Sequence, residues 1–197
     1  WDEEQNNWCI RCQPGLSIET LNKILEKKAF GGTPDYLIGG DQKELKRFME
    51  ESDQWFYPVD PTEKSAHFGG TIATNASGSR SLKFGATRNH VISLRVVLID
   101  GTVLLLKRNE FLNIPNRPFI VKKTEGSVEI PVPEYHFPEI KNSAGYFVKQ
   151  PMDFIDFFIG SEGTLGVITE VEVALRRKPQ IILSGIGFFP NDEDGLQ

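Results

Sequence analysis

The sequence predicts an α+β fold, a mainly antiparallel sheet with flanking helices, and three observations carry that reading. Val91 to Ile99 is strand-like, Asp100-Gly101 is a two-residue hairpin signal, and Thr102 to Leu106 returns antiparallel. Thr164 to Leu175 is a second long strand. After residue 57 most of the regular structure reads as strand. A parallel nucleotide-binding sheet needs strand and helix to alternate along the whole chain, and after residue 57 that alternation is absent.

Each element has a local cause. Residues 8–13 read as a first strand, ended by Pro14-Gly15. Ser17 caps a helix running to about Lys28, with Leu21, Ile24 and Leu25 on one face. Lys27 and Lys28 suit its C-terminal end, and Gly31-Gly32 stop it. Asp41 and Glu44 open a second helix with Leu45, Phe48 and Met49 on one face. Ile92, Leu94, Val96 and Leu98 form the apolar face of the strand from Val91. Residues 108–140 hold five of the twelve prolines. There, Phe119 to Lys123 and Val128 to Val132 pair across Glu125-Gly126 as a solvated flap. In the strand from Thr164, Leu165, Val167, Val171, Val173 and Leu175 share one face, interrupted at Thr169. Arg176 to Pro179 is a solvated strand end. Ile181 to Phe189 reads as one more strand, and the acidic tail from Asn191 as disordered.

With 197 residues, 39% apolar and 25% charged, the chain can bury a core as one soluble domain or two small subdomains. A net charge of −5 gives no basic surface for nucleic acid. No apolar run reaches the length of a membrane span, and no signal peptide is expected. Cys9 and Cys12 have C-x-x-C spacing but no second ligand pair, so no metal is expected. Three apart on a strand, their sulfurs point to opposite faces and do not meet. Reduced thiols fit a cytoplasmic protein.

Two segments carry the chemistry. Gly69-Gly70-Thr71-Ile72-Ala73-Thr74-Asn75-Ala76-Ser77-Gly78 is built of small residues, and Gly160-Ser161-Glu162-Gly163-Thr164-Leu165-Gly166 repeats the design far downstream. Such stretches cannot build a hydrophobic core by themselves. They let backbone N–H groups and hydroxyls approach a phosphate-bearing cofactor closely. His90 and His136 show no partner spacing and read as structural.

Here the chain resembles a family. Tyr57-Pro58-Val59-Asp60-Pro61-Thr62, Gly69-Gly70 to Gly78 with Leu82-Lys83-Phe84-Gly85, Lys141-Asn142-Ser143-Ala144-Gly145-Tyr146, and Gly160 to Thr169 follow the order seen in FAD-linked oxidases. This is the vanillyl-alcohol oxidase and para-cresol methylhydroxylase superfamily. Its D-lactate and glycolate dehydrogenases are the nearest branch, with alkyl-dihydroxyacetonephosphate synthase as a relative. The resemblance implies the second subdomain of a PCMH-type FAD-binding domain. It implies FAD as cofactor and, in the full-length protein, oxidation of a small 2-hydroxy acid with hydride transfer to flavin. The segments matching Pro61, Thr62 and His67, then Gly69, Gly70, Thr74, Asn75, Ala76, Ser77 and Gly78, then Glu162, Gly163, Thr164, Leu165, Gly166, Val167 and Ile168, would line the cofactor. Asn75 would face the flavin or its ribityl-phosphate chain rather than cap a helix.

The match has departures. His67 stands where relatives have Ser or Thr, and a polar role is expected of it rather than a covalent flavin link. The helix after Asp41 and the hairpin near 119–132 read as insertions. The family's upstream pyrophosphate loop has no counterpart before Trp8. Residues 8–179 are therefore expected to be a partial FAD-binding domain, and 180–197 the start of a truncated substrate domain. No residue of this chain presents itself as a catalytic base or carboxylate anchor, and the electron acceptor is unknown. A non-catalytic sheet module of the same fold is the alternative. A reductase of the cell-wall-precursor type fits less well, because it lacks the match at Lys141 to Tyr146.

Overall fold

A computed structural model describes residues 7–29, 42–112, 118–122, 126–140 and 142–196. Its centre is a four-stranded antiparallel sheet. Strands β1 (Cys9–Cys12), β3 (Val91–Val97), β4 (Val103–Lys107) and β7 (Val167–Ala174) lie in the order β1-β7-β3-β4. The α+β expectation holds. Along β7, Val171 and Val173 are fully buried while Glu170 and Glu172 face outward, where Arg11 reaches both carboxylates. Each fully buried aliphatic side chain of this kind contributes about 2 kcal/mol of burial.

Two bulges correct the expected faces. Val91 pairs with Val173 and Ser93 with Glu172, so Ile92 is the extra residue. Val91 therefore takes the core place expected of Ile92, which is only half-buried. The second bulge falls at Thr169, between the Glu170–Arg95 and Ile168–Val96 pairs. Past it the alternation inverts, and Val167 is exposed instead of buried. A single inserted residue does this because the side-chain period of a strand is two.

The β3–β4 connection is a three-residue loop rather than the expected two. The Gly101 N–H donates to the Leu98 carbonyl, and the Leu98 N–H to that of Thr102. Gly101 sits at φ +81°, which makes this a type I turn closed by a left-handed glycine.

Helix α1 (Ile18–Lys27) is capped as expected: Ser17 Oγ accepts from the Thr20 N–H at 3.1 Å. Leu21 and Leu25 are buried. The helix stops at Lys28, itself left-handed at φ 51° with its N–H on the Ile24 and Leu25 carbonyls. Gly31-Gly32 lie outside the described residues, as does Asp41. Helix α2 (Gln42–Glu51) buries Phe48 edge-on against Trp8 and leaves Met49 exposed; the Leu45 side chain is outside the described set. Strand β2 (Trp55–Phe56) pairs with β8 (Arg176–Arg177), so the first two residues of the basic run are a sheet edge, with Arg177 over the Trp55 ring.

Strands β5 (Phe119–Lys122) and β6 (Ser127–Ile130) form the expected hairpin; Lys123 to Glu125 are not described. The hairpin is not a solvated flap. Phe119 is 7% exposed and its ring packs on Phe154 and Phe157 at 5.1 and 5.7 Å. One face of the hairpin belongs to the core, while Ile120 on the other is exposed. Ile181 to Phe189 is no strand; it is irregular and exposed. The acidic tail holds a short helix, α4 (Asp192–Gly195), whose N-cap Asn191 accepts from the Asp194 N–H. Cys9 pairs with Ala174 and Cys12 with Val171, and no disulfide joins them. Burial pushes the Cys12 thiol up to about 12.

Candidate cofactor-binding site

The first glycine-rich segment is helical for half its length. Helix α3 (Phe68–Ala73) forms because Phe68, Thr71 and Ile72 stand at i, i+3 and i+4 and are all buried. This stretch therefore does feed the core. Backbone bonds seat its start: the Phe68 N–H donates to the Leu16 carbonyl at 3.0 Å and Gly69 to Pro14 at 2.9 Å. His67, just before the helix, is exposed, and its side chain makes no cap bond.

The helix ends in a reciprocal C-terminal cap. Asn75 is left-handed at φ 46°. Its N–H donates to the Ile72 carbonyl at 3.0 Å, and the Ala76 N–H to that of Thr71 at 2.8 Å. Asn75 Oδ1 accepts from the Arg88 N–H at 3.0 Å. In this state Asn75 caps a helix, against expectation, and its carbonyl oxygen is engaged by the chain itself.

The second glycine-rich segment closes on the same helix end. The Gly160 N–H donates to the Ile72 carbonyl at 2.9 Å, and Glu162 to Ala73 at 2.8 Å. Gly160, Glu162 and Gly163 are left-handed, at φ 90°, 53° and 77°. For Glu162 that conformation costs about 1 kcal/mol, which its bond to Ala73 offsets.

The other landmarks join this wall. Gly78 lies so close to Asp60 that a Cβ would fall 1.7 Å from the Asp60 carbonyl oxygen. Ser79 Oγ donates to the Asp60 carboxylate at 3.0 Å, so the Pro61-Thr62 segment abuts Ser77 to Ser79. Tyr146 and Thr164 share a hydroxyl–hydroxyl bond of 2.7 Å. Four motifs separated in sequence thus converge. Lys141 lies outside the described residues.

The glycines divide into two kinds. A Cβ on Gly69 would meet Pro14 Cβ at 2.9 Å, and one on Gly166 would meet Val96 and the Val97 carbonyl at 2.8 Å. With Gly78, these are small because the fold itself needs the room. Gly69 and Gly166, expected to line the cofactor, are thus small for the packing of the chain on itself. Gly70 and Gly163 face open space, with nothing within 4 Å of an added Cβ. They are where a foreign group can come against the backbone. Thr74 and Thr164 are exposed beside them; Ala76, Ser77 and Leu165 are half-buried, Ile168 packs at the core's margin, and Val167 points to solvent from β7.

Behind the wall is a buried ionic cluster that the sequence reading missed. The Arg88 guanidinium donates to the Asp156 carbonyl at 2.7 Å, to Asp156 Oδ1 at 2.8 Å and to the Ile159 carbonyl. Arg108 donates to the same Oδ1 at 2.7 Å. Burial pulls the Arg88 pKa down while Asp156 holds it up. Asp153 is raised chiefly by burial. The one local signal was Asp153-x-x-Asp156 ahead of an apolar run, and Asp156 Oδ2 does accept from the Asp153 N–H at 3.0 Å. His90 is fully buried, its Nε2–H on the Phe84 carbonyl at 2.9 Å. His136 is exposed. Among the described residues no cluster of His, Cys, Asp and Glu could hold a metal, and no helix is long and apolar enough to cross a membrane.

Residues 38–107 match the family model of the FAD binding domain. This stretch is FAD-binding-domain sequence. The matched stretch spans α2. Among curated relatives, the mitochondrial D-2-hydroxyglutarate dehydrogenase of Rattus norvegicus is 33% identical over 168 residues, 85% of this chain and 25% of its own. Glycolate oxidase subunit GlcD of Bacillus subtilis (strain 168) is 33% identical over 183 residues, 92% of this chain and 31% of its own. The chain thus spans a quarter to a third of these relatives. The solved structure of an alkyldihydroxyacetonephosphate synthase aligns over 92% of this chain and 21% of its own, with 21% identity and a TM-score of 0.47.

Proposed function

We propose that this chain forms one wall of the FAD site of an oxidoreductase acting on a small 2-hydroxy acid. The observation that carries the reading is the open space over Gly70 and Gly163, on two segments hydrogen-bonded into one surface. Side chains are absent there, so an elongated dinucleotide can lie against the backbone. The Ser77 hydroxyl is placed beside it to donate to a phosphate or ribose oxygen, while the Thr74 and Thr164 hydroxyls, which donate to the Gly70 and Ser161 carbonyls at 3.0 and 2.6 Å, can accept from a ribose hydroxyl. His67, exposed at the start of α3, is within the same segment and suits a phosphate oxygen. An apolar slot of about 360 Å³ beside Leu165 and Tyr146, floored by Leu98, Leu104 and Phe158, suits a flat ring. When bound, FAD supplies a two-electron acceptor for a substrate C–H bond. This chain's residues bind and orient it.

Residues 8–179 are read as the FAD-binding portion and 180–197 as the start of the substrate domain. The base, the carboxylate anchor, the pyrophosphate loop and the contact with an electron acceptor are assigned to other parts of a longer protein. Thiols without a disulfide favour a reducing compartment such as the cytosol.

FAD fluorescence quenching tests the reading. This chain alone, offering one wall, should bind FAD more weakly than about 1 μM, or some 8 kcal/mol. The whole protein should bind it tightly and lose it on Gly163→Val, because a β-branched residue fills the open space and opposes the positive φ. A whole protein that purifies without flavin and takes none up would overturn the proposal.

A further inference from the structure

We infer that Arg88 is the positioning residue that sets the spacing between the two glycine-rich segments. The inference rests on the reading of that wall as a flavin site. Arg88 bonds the end of the first segment and the residue that leads into the second. Its N–H holds Asn75 Oδ1 at the end of α3. Its guanidinium holds the Asp156 and Ile159 carbonyls, and Ile159 leads directly into Gly160. A Cβ on Gly160 would sit 3.4 Å from Asn75 Cβ and 3.5 Å from an Arg88 terminal nitrogen, so Asn75 and Arg88 border the space beside Gly160.

The geometry requires a guanidinium. Its planar fork reaches three acceptors at once while its face lies over the Phe147 ring, 4.2 Å from the centroid. Phe147 adjoins Tyr146, which bonds Thr164, so a third landmark is tied to the same group. A lysine ammonium is a compact point charge and cannot make these bonds and the stacking together. Arg108 is the natural comparison. It shares Asp156 Oδ1 and reaches the Arg88 carbonyl at 3.3 Å and the Val91 carbonyl at 3.5 Å. Those bonds do not go to either glycine-rich segment.

Two measurements separate positioning from general stability. In this chain, hydrogen exchange of the Gly160 and Glu162 amides should accelerate at least tenfold in Arg88→Lys, with β7 unchanged. In the whole protein, Arg88→Lys and Arg88→Met should each weaken FAD at least tenfold. Arg108→Met, compared at equal loss of melting temperature, should weaken it less than threefold. Parent-like exchange at Gly160 and Glu162 in Arg88→Lys would overturn the inference. So would equal FAD losses in the Arg88 and Arg108 variants. If Arg88→Met does not fold, Arg88→Lys carries both arms. A parent protein that takes up no FAD would sink the flavin reading, while the exchange result still decides whether Arg88 holds the wall.

Discussion

Gly78 and Gly70 look interchangeable in the sequence and stand on opposite sides of the same wall. Gly78 faces inward, where the Asp60 backbone leaves no room for a single carbon. Gly70 faces outward, on the first turn of a helix, with nothing near it. The same contrast recurs between Gly166, pressed on Val96 and Val97, and Gly163, open. A glycine-rich motif is thus two constraints overlaid: close packing of the chain on itself, and bare backbone toward a ligand.

Substitutions can break or sharpen this contrast. The largest effect is expected from Gly78→Ala. Its methyl would overlap a carbonyl oxygen, and backbone must move, which costs more than about 3 kcal/mol. Urea unfolding reads this directly; a midpoint near the parent's would show that the wall's inner side is not tightly built.

A pH effect comes next, from His90, packed behind α3 against Tyr57, whose ring meets Phe68. Burial lowers the His90 pKa from 6.5 to about 4. Between those values the unfolded chain takes up a proton that the folded chain refuses. Stability is therefore undiminished above pH 6.5 and falls as pH drops toward 4, by roughly 3 kcal/mol in all. His90→Gln keeps an N–H donor for the Phe84 carbonyl without titrating. Its melting temperature should decline less between pH 7 and 4.5 than the parent's, and parallel declines would remove His90 as the cause.

The smallest stability change belongs to Gly70→Ala. Alanine favours a helix over glycine by up to about 1 kcal/mol, so the apo chain should melt at the same temperature or slightly higher. FAD affinity of the whole protein should nevertheless fall. A drop in apo stability would place Gly70 with the inward glycines.

Much of this architecture was legible from residue types. Ser17 capped its helix because a hydroxyl beside an apolar-periodic run satisfies an open N–H. The strand partners of Asp100-Gly101 followed from alternation, although its loop took one residue more. Alternation failed at Ile92 and Thr169, because a bulge leaves no mark in a run of β-branched residues. Thr169 did interrupt the pattern, and it is the bulge. Helix α3 was hidden by two adjacent glycines, which lower propensity even where Phe68, Thr71 and Ile72 keep helical spacing. The core role of Phe119 was obscured by the polar, proline-rich sequence around it. Arg88 was not legible as a buried group at all. Its burial depends on Asp156 and Phe147, far along the chain, and nothing local announces that pairing.

The strand order has a kinetic consequence. Cys9 pairs with Ala174, so β1 finds its place only after almost the entire described chain has been gathered in. The β3–β4 hairpin, by contrast, closes across three residues and can form within microseconds. Contacts this distant in sequence slow folding, since the loop entropy is lost before the pairing is gained. The sheet is thus knitted from its β4 side toward β1. The surface offered by Gly70 and Gly163, which needs β7 and α3 together, is completed late, when that closure nears its end.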